Sequence, residues 1–333
     1  MTSADVLDEY PFVSIVVPFH NAKTFLPNLL ESLLNQNYPK NRYEIVLVDD
    51  GSTDASSDVI TKAMERRREM CNIKVLRRNE KGGPARARNV GIKNSKGEII
   101  AFTDADAIPK KDWLTELMKG FKDDSIGGVT GKVVTDFQRL LYPLRVSPVS
   151  EFVTCNIAYK RKALTQSGLF DEKFKCPFRE DSDLAYRILD QGYKIIHQNS
   201  AVVYHPVKQI KLKDLLRVPR YHAYDILLFK KHPKQAKVIL GIRFCRFSFS
   251  GIVVILNALV IFILFITTPI KWSVIFTLLY FFSGTLVLSI IKPSAKGKNL
   301  KDRIQGAIWH ELYLLFTVIG HIIGSIKFKK WLL

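Results

Sequence analysis

Across roughly the first two hundred residues, short β-branched runs alternate with segments of helical period, and that alternation is the pattern of an α/β sheet. Strands are expected over 13–17, 43–48, 73–76, 98–102 and 128–134, with helices over 22–35, 55–68, 85–94 and 111–121 between them. The connections are short enough for right-handed crossovers, so a Rossmann-like, mostly parallel sheet with helices on both faces follows. On such a sheet ligands bind beyond the carboxyl ends of the strands, so the informative residues should sit just after each one.

Composition removes several other classes. A chain of 333 residues with 47% hydrophobic and 24% charged residues is not disordered. It has room for one large domain with an appendage, or for two modest ones. Gly (18) and Pro (14) are ordinary, no repeat of 20–50 residues is present, and the 4 cysteines lack the spacing of a zinc ribbon or a disulfide framework. Free thiols in a reducing compartment are expected. Residues 1–12 carry Asp5, Asp8 and Glu9 with no basic n-region, so no cleavable secretory signal is expected and the first domain is placed in the cytoplasm.

The residues that follow the strands are acidic or anion-friendly: Pro18-Phe19-His20-Asn21, then Asp49-Asp50-Gly51-Ser52, then Asp104-Ala105-Asp106. No G-x-G-x-x-G follows the first strand and no G-x-x-x-x-G-K-[ST] occurs, which argues against a dinucleotide dehydrogenase and a P-loop phosphotransferase. Two carboxylates one residue apart at a strand end can hold a hard divalent cation, which in turn neutralises a diphosphate. Asp49 and Asp50 have a simpler reading too, as a turn whose Ser52 or Asp54 caps the next helix.

Five ordered motifs together resemble one family. They are Val13-Ser14-Ile15-Val16-Val17-Pro18-Phe19-His20-Asn21, Val48-Asp49-Asp50-Gly51-Ser52-Thr53-Asp54, Gly83-Pro84-Ala85-Arg86-Ala87-Arg88-Asn89-Val90-Gly91, Phe102-Thr103-Asp104-Ala105-Asp106 and Glu180-Asp181-Ser182-Asp183-Leu184. Over about residues 12–206 the chain is similar to the inverting family 2 glycosyltransferases, whose nucleotide-sugar-binding domain has the GT-A fold. The resemblance implies that Pro18, His20 and Asn21 line the nucleotide, that Asp50 bonds the base ring, and that Asp104, Ala105 and Asp106 meet the ribose and a Mg²⁺ or Mn²⁺ ion. Arg88 and Asn89 would offer donors to the nucleotide from a helix start. Asp181 would be the general base and Glu180 would orient the acceptor, whereas Asp183 could simply cap its helix. His205 is either a further metal ligand beside Asp104 and Asp106 or a structural histidine. Arg217-Val218-Pro219-Arg220-Tyr221 resembles the (Q/R)-x-x-R-W of processive synthases with Tyr in place of Trp. Arg217 and Arg220 then contact either the diphosphate or acceptor, or only the membrane.

The net charge of +19 is concentrated. Eleven basic residues lie between Lys208 and Arg246 against Asp214 and Asp225, and an uncharged run, 247–270, follows, then Lys271, then a second uncharged run, 272–291. A hydrocarbon core of ~30 Å needs about 20 helical residues, so the two runs are expected to form a transmembrane hairpin. The basic segments on both flanks put its ends, and the catalytic domain, on the cytoplasmic side of a multi-pass cell-membrane protein. A polybasic segment next to a span reads as an anchor to membrane lipids, so no nucleic-acid partner is expected. Residues 209–229 read as amphipathic helices on that surface, with Ile210, Leu212, Leu215, Leu216, Ile226, Leu227, Leu228 and Phe229 available to dip into it. A third apolar stretch, 304–326, either spans or lies in the membrane plane, and its length leans toward a span.

The expected organisation is a GT-A domain at 1–207, a basic interfacial segment at 208–246, the hairpin at 247–291 and a basic loop with a third membrane-associated or transmembrane helix at 292–333. The function implied by the resemblance and the spans is transfer of a sugar, with inversion, from a nucleotide-sugar donor to a polyprenyl phosphate or lipid-linked saccharide. The alternatives are a processive polysaccharide synthase, a nucleotidyltransferase and a non-catalytic nucleotide-sugar-binding scaffold.

Overall fold

The computed structural model describes residues 10–66, 72–135, 152–206, 212–236 and 300–329. These divide into two compact units, one holding the described residues up to 206 and the other those from 212 onward.

The first unit is a single eight-stranded sheet in the order β3-β2-β1-β4-β7-β6-β8-β5. Its strands are β1 (Val13–Phe19), β2 (Tyr43–Asp50), β3 (Asn72–Arg78), β4 (Ile99–Phe102), β5 (Ile108–Pro109), β6 (Ile126–Val134), β7 (Ile157–Lys160) and β8 (Lys194–Tyr204). β1 and β2 are near-continuous apolar runs because both of their faces are covered. Ile15, Val17, Ile45 and Leu47 point into one core, while Val16, Val46 and Val48 point into the other. That period-2 split fixes the register, since a slip of one residue would exchange the two faces.

The first core is closed by α1 (Leu26–Leu34), whose Leu26, Leu29, Leu30, Leu33 and Leu34 recur at helical spacing and are all buried. Each such leucine contributes about 1.5–3 kcal/mol on full burial. α2 (Ser56–Arg66) and α4 (Trp113–Met118) lie on the same side, with Trp113 fully buried. The second core is closed by α3 (Pro84–Lys93), α5 (Arg161–Gln166) and α6 (Glu180–Asp190).

The GT-A-like α/β sheet is as expected, but it is mixed. β3, β2, β1 and β4 run parallel, whereas β7 is antiparallel to both β4 and β6, and β5 is antiparallel to β8. β6 and β8 pair in parallel across two register shifts. Helix α1 starts four residues later than expected because the amides of Phe25 and Leu26 are taken by the carbonyl of Ala22 in a turn. Cys155 and Cys176 are free thiols, as expected.

The second unit contains α7 (Leu212–Leu215), α8 (Val218–Lys231) and α9 (Leu300–Phe328). Of the side chains expected to dip into a membrane from 209–229, those of Ile210 and Leu212 lie outside the described ones, Leu215, Ile226, Leu227 and Leu228 are buried, Phe229 is half-buried and Leu216 is exposed. The reason is the α8–α9 crossing, which covers that face. The hairpin expected at 247–291 lies outside the described residues. Among the described residues no helix is long and apolar enough to cross a membrane. The span favoured for 304–326 is therefore not supported, and the stretch forms part of α9, whose Gly320 and Gly324 lie directly against Pro219 and Ala223 of α8.

Candidate active site

Asp50 ends β2 at a position that pairs in register with Arg78, the last residue of β3. Register alone therefore sets a guanidinium beside the carboxylate, and the two form an ion pair. Asp50 also accepts hydrogen bonds from the amides of Gly82 (3.0 Å) and Gly83 (2.8 Å). Gly83 has φ of 91°, and a Cβ there would meet the carbonyl oxygen of Lys175 at 2.6 Å, so only glycine presents this amide to Asp50. The same turn leads into Pro84 at the start of α3. Asp50 thus organises the 82–83 loop, and Arg78 is a site residue that the sequence reading missed. The detectable signal was a basic residue at the same depth on the adjacent strand.

His20 Nδ1 lies 3.0 Å from the carbonyl oxygen of Asp50, which ties the end of β1 to the end of β2 beside half-buried Pro18. Asn21, expected at the nucleotide, braces two loops beside it. It adopts a left-handed backbone (φ 52°), its amide donates to Ser52 Oγ, and its Oδ1 accepts from the amide of Thr53 at 2.8 Å. Asp49 likewise caps the turn, accepting from the amide of Ser52 at 2.8 Å.

Arg88 is 2% exposed and points from α3 into the end of the sheet. One nitrogen donates to Glu180 Oε1 at 2.9 Å and the other to Asp104 Oδ1 at 3.1 Å, while the guanidinium lies over the Phe170 ring. Burial disfavours its charge, but Asp104 and Glu180 outweigh this and hold it more firmly protonated than usual. Arg88, expected to offer donors to the nucleotide, thus braces two site carboxylates here. Asn89 is also reassigned. It donates to the carbonyl of Phe170 (2.9 Å) and to Glu172 (3.0 Å), and accepts from the amide of Phe170 (3.0 Å).

Asp104 and Asp106 follow β4, and His205 follows β8; β8 reaches this end of the sheet by pairing with β5. Ligand atoms of all three residues lie within 4.8 Å of one another, with His205 Nε2 3.3 Å from Asp106 Oδ1. Ala105 between them packs against the first core, which fixes the loop. Burial works against a charged His205, yet the hydrogen bond and charge of Asp106, with Asp104 behind them, raise its pKa above the usual histidine value. Two carboxylates and one imidazole, all partly solvent-accessible, form a donor set suited to a hard or borderline divalent cation.

Glu180 and Asp181 open α6, and Arg179 before them is left-handed with φ of 75°. A non-glycine residue in that region costs about 1–3 kcal/mol and is characteristic of functional turns. The turn divides the pair. Glu180 goes inward to Arg88 and is 3% exposed, while Asp181 stays partly open and accepts from the amide of Ser182 (2.7 Å). Burial raises the Glu180 carboxyl, the Asp181 charge adds to this and Arg88 opposes it, leaving a value of about 7. Buried Cys155 senses Asp104, Asp181 and Asp106 together, so the open carboxylates share one neighbourhood; its thiol is pushed up chiefly by burial. Asp183 is fully buried and paired with Arg187 at 2.8 Å, a structural role. Arg217 and Arg220 are exposed on the second unit, with Arg217 3.6 Å from Asp214.

The chain is similar in sequence and in fold to known glycosyltransferases. AglE, a glycosyltransferase of Haloferax volcanii, is 26% identical over 211 residues, covering 60% of this chain and 68% of that protein. A dolichyl N-acetyl-α-D-glucosaminyl phosphate 3-β-D-2,3-diacetamido-2,3-dideoxy-β-D-glucuronosyltransferase of Methanococcus voltae is 26% identical over 242 residues, covering 66% and 74%. Among solved structures, the mannosyltransferase PcManGT of Pyrobaculum calidifontis, in complex with GDP-Man and Mn²⁺, superposes with a TM-score of 0.65 at 21% identity, covering 94% of this chain and 87% of that one. The family model for glycosyl transferase family 2 matches residues 14–187, which contain Asp50, Asp104, Asp106, Glu180 and Asp181, and the chain accordingly belongs to this family of glycosyltransferases.

Proposed function

We propose that this glycosyltransferase moves a sugar from a nucleoside-diphosphate donor to a membrane-associated acceptor, with inversion at the anomeric carbon and with the aid of a divalent cation. The observation that carries the reading is the grouping of Asp104, Asp106 and His205 in the same neighbourhood as the open carboxylate of Asp181. Asp104, Asp106 and His205 would hold Mg²⁺ or Mn²⁺, which supplies positive charge to the diphosphate as it leaves. His20, Pro18 and the loop organised by Asp50 and Arg78 offer the wall for the base.

An acceptor hydroxyl attacks the anomeric carbon from the face opposite the diphosphate. Its oxygen forms the new bond as the bond to the leaving phosphate oxygen breaks, and the hydroxyl proton passes to Asp181. Glu180, tied to Arg88, does not take that proton; it fixes the first turn of α6 from which Asp181 projects.

The acceptor reading rests on three supports: the basic stretch 208–246, the uncharged runs 247–270 and 272–291, and the Methanococcus voltae relative named for a dolichyl phosphate-linked substrate. A polyprenyl phosphate or a polyprenyl-linked saccharide fits all three, with the catalytic unit on the cytoplasmic face of the membrane. Asp181→Asn separates the two acceptors. With a sugar hydroxyl as nucleophile kcat falls by roughly 10²–10⁴-fold at unchanged donor affinity. With a lipid phosphate, already anionic, it falls little. Full activity of Asp181→Asn on a hydroxyl acceptor would remove Asp181 from the base role.

A further inference from the structure

A second cluster of metal-binding side chains lies in the α8–α9 unit, built from residues that the transfer reaction does not use. Asp225 on α8 is 1% exposed, and its Oδ2 is approached by His222 Nδ1 at 2.7 Å and by His321 Nε2 of α9 at 3.1 Å. The three ligand atoms lie within 4.8 Å of one another.

Two further observations point to a ligand at the convergence. His222 Nε2, the ring nitrogen facing away from Asp225, lies 2.8 Å from the Tyr313 hydroxyl. With a cation at the convergence point, Nε2–H would donate to that hydroxyl and the Nδ1 lone pair would face the ion, the outer-sphere bond that accompanies metal-bound histidines. The helices are also held unusually close here. A Cβ on Gly320 would meet the carbonyl oxygen of Pro219 at 2.7 Å, and one on Gly324 would meet that of Ala223 at 2.5 Å. These two glycines flank His321 on α9 and set the separation at which the three side chains converge.

We infer that His222 Nδ1, Asp225 Oδ2 and His321 Nε2 bind a Zn²⁺ ion that staples α8 to α9, distinct from the Asp104/Asp106/His205 site. The two sites differ in the chemistry they select. Two imidazoles and one carboxylate in a largely buried setting suit tetrahedral Zn²⁺, with water as fourth ligand, whereas the oxygen-rich, more open set suits Mg²⁺ or Mn²⁺. Tetrahedral coordination at about 2.0–2.2 Å separates ligand atoms by roughly 3.3–3.5 Å, so the His321–Asp225 spacing of 3.1 Å needs to open by roughly 0.2–0.4 Å and the His222–Asp225 spacing of 2.7 Å by roughly 0.6–0.8 Å.

The test uses the full-length, tag-free chain in detergent, with Zn²⁺ alone as probe. Zinc per chain is measured after dialysis, and thermal unfolding is followed with added Zn²⁺ or EDTA. An Asp106→Ala/His205→Ala background removes the other site. The expected result is about one Zn²⁺ per chain in that background, a rise in Tm with Zn²⁺ and a fall with EDTA, all lost in His321→Gln and Asp225→Asn. Should those two variants fail to fold, Co²⁺ replaces Zn²⁺ in the Asp106→Ala/His205→Ala protein, where visible bands of tetrahedral cobalt are expected. Three outcomes overturn the inference: no retained metal and a Tm indifferent to Zn²⁺ and EDTA; zinc retained equally by folded His321→Gln; or an absence of tetrahedral cobalt bands.

Discussion

Replacing Arg88 by Met removes the cation paired with Glu180 in the buried brace, and the consequence can be worked from the geometry. Two charge-assisted hydrogen bonds are lost, at 2.9 and 3.1 Å. The bond to Asp104 is the smaller loss, because the Asp104 side chain is 30% exposed and water can replace the guanidinium. Glu180 has no such recourse at 3% exposure. Breaking a buried pair by deleting one partner costs about 3–5 kcal/mol. The carboxyl can escape part of this by taking up a proton, and it is already raised to about 7 in the intact protein. Without Arg88 that value rises further. The folded variant then holds a proton that the unfolded chain, with an ordinary value of 4.5, releases. Stability of Arg88→Met therefore falls as pH rises through the interval above 4.5. We expect a loss of about 3 kcal/mol near pH 8 and a markedly smaller one near pH 5.5. Arg88→Met/Glu180→Gln removes the uncompensated charge and should lie within about 1 kcal/mol of Glu180→Gln alone at either pH. Urea unfolding of the purified chain followed by circular dichroism measures all three. A loss for Arg88→Met that is the same at both pH values, or that the double variant does not recover, would refute the reasoning.

Two further outcomes follow from the same geometry. Because the folded Glu180 carboxyl is raised from 4.5 to about 7, the intact protein should lose stability as pH rises across that window, and Glu180→Gln should flatten the decline; denaturation midpoints measured at intervals across it check this. Gly83→Ala forces a side chain into a left-handed backbone and against the carbonyl of Lys175, so it should destabilise by more than about 1 kcal/mol and weaken donor binding through Asp50, read by thermal unfolding and by titration of a nucleoside diphosphate.

The parallel half of the sheet was legible because β1 and β2 are buried on both faces and spell that burial as near-continuous apolar runs. The strand-end carboxylates were legible for the same reason, since topology puts strand ends at the ligand. The other half was harder. β8 is mostly exposed along its first seven residues and β5 is two residues long, so neither carries a period that marks it as a strand, and antiparallel pairing of β7 depends on contacts remote in sequence. Side-chain commitments were least visible. Asn89 and Arg88 are adjacent polar residues on a helix start, and only the fold shows that one is spent on the backbone of Phe170 and the other on Glu180. In the second unit, Ile226, Leu227 and Leu228 form a run equally suited to lipid or to a neighbouring helix, and the glycines of α9 that decide between these lie about a hundred residues away.

The central claim is that a divalent cation held by Asp104, Asp106 and His205 serves a nucleotide-sugar transfer. Its most direct test incubates the detergent-purified chain with a panel of nucleotide-sugars, Mn²⁺ or Mg²⁺ and a lipid extract, and measures nucleoside diphosphate release with Asp106→Ala alongside. Release is expected from one donor, requires both metal and lipid, and falls to background in Asp106→Ala. Release that persists undiminished in Asp106→Ala, or in the absence of any divalent cation, would contradict it.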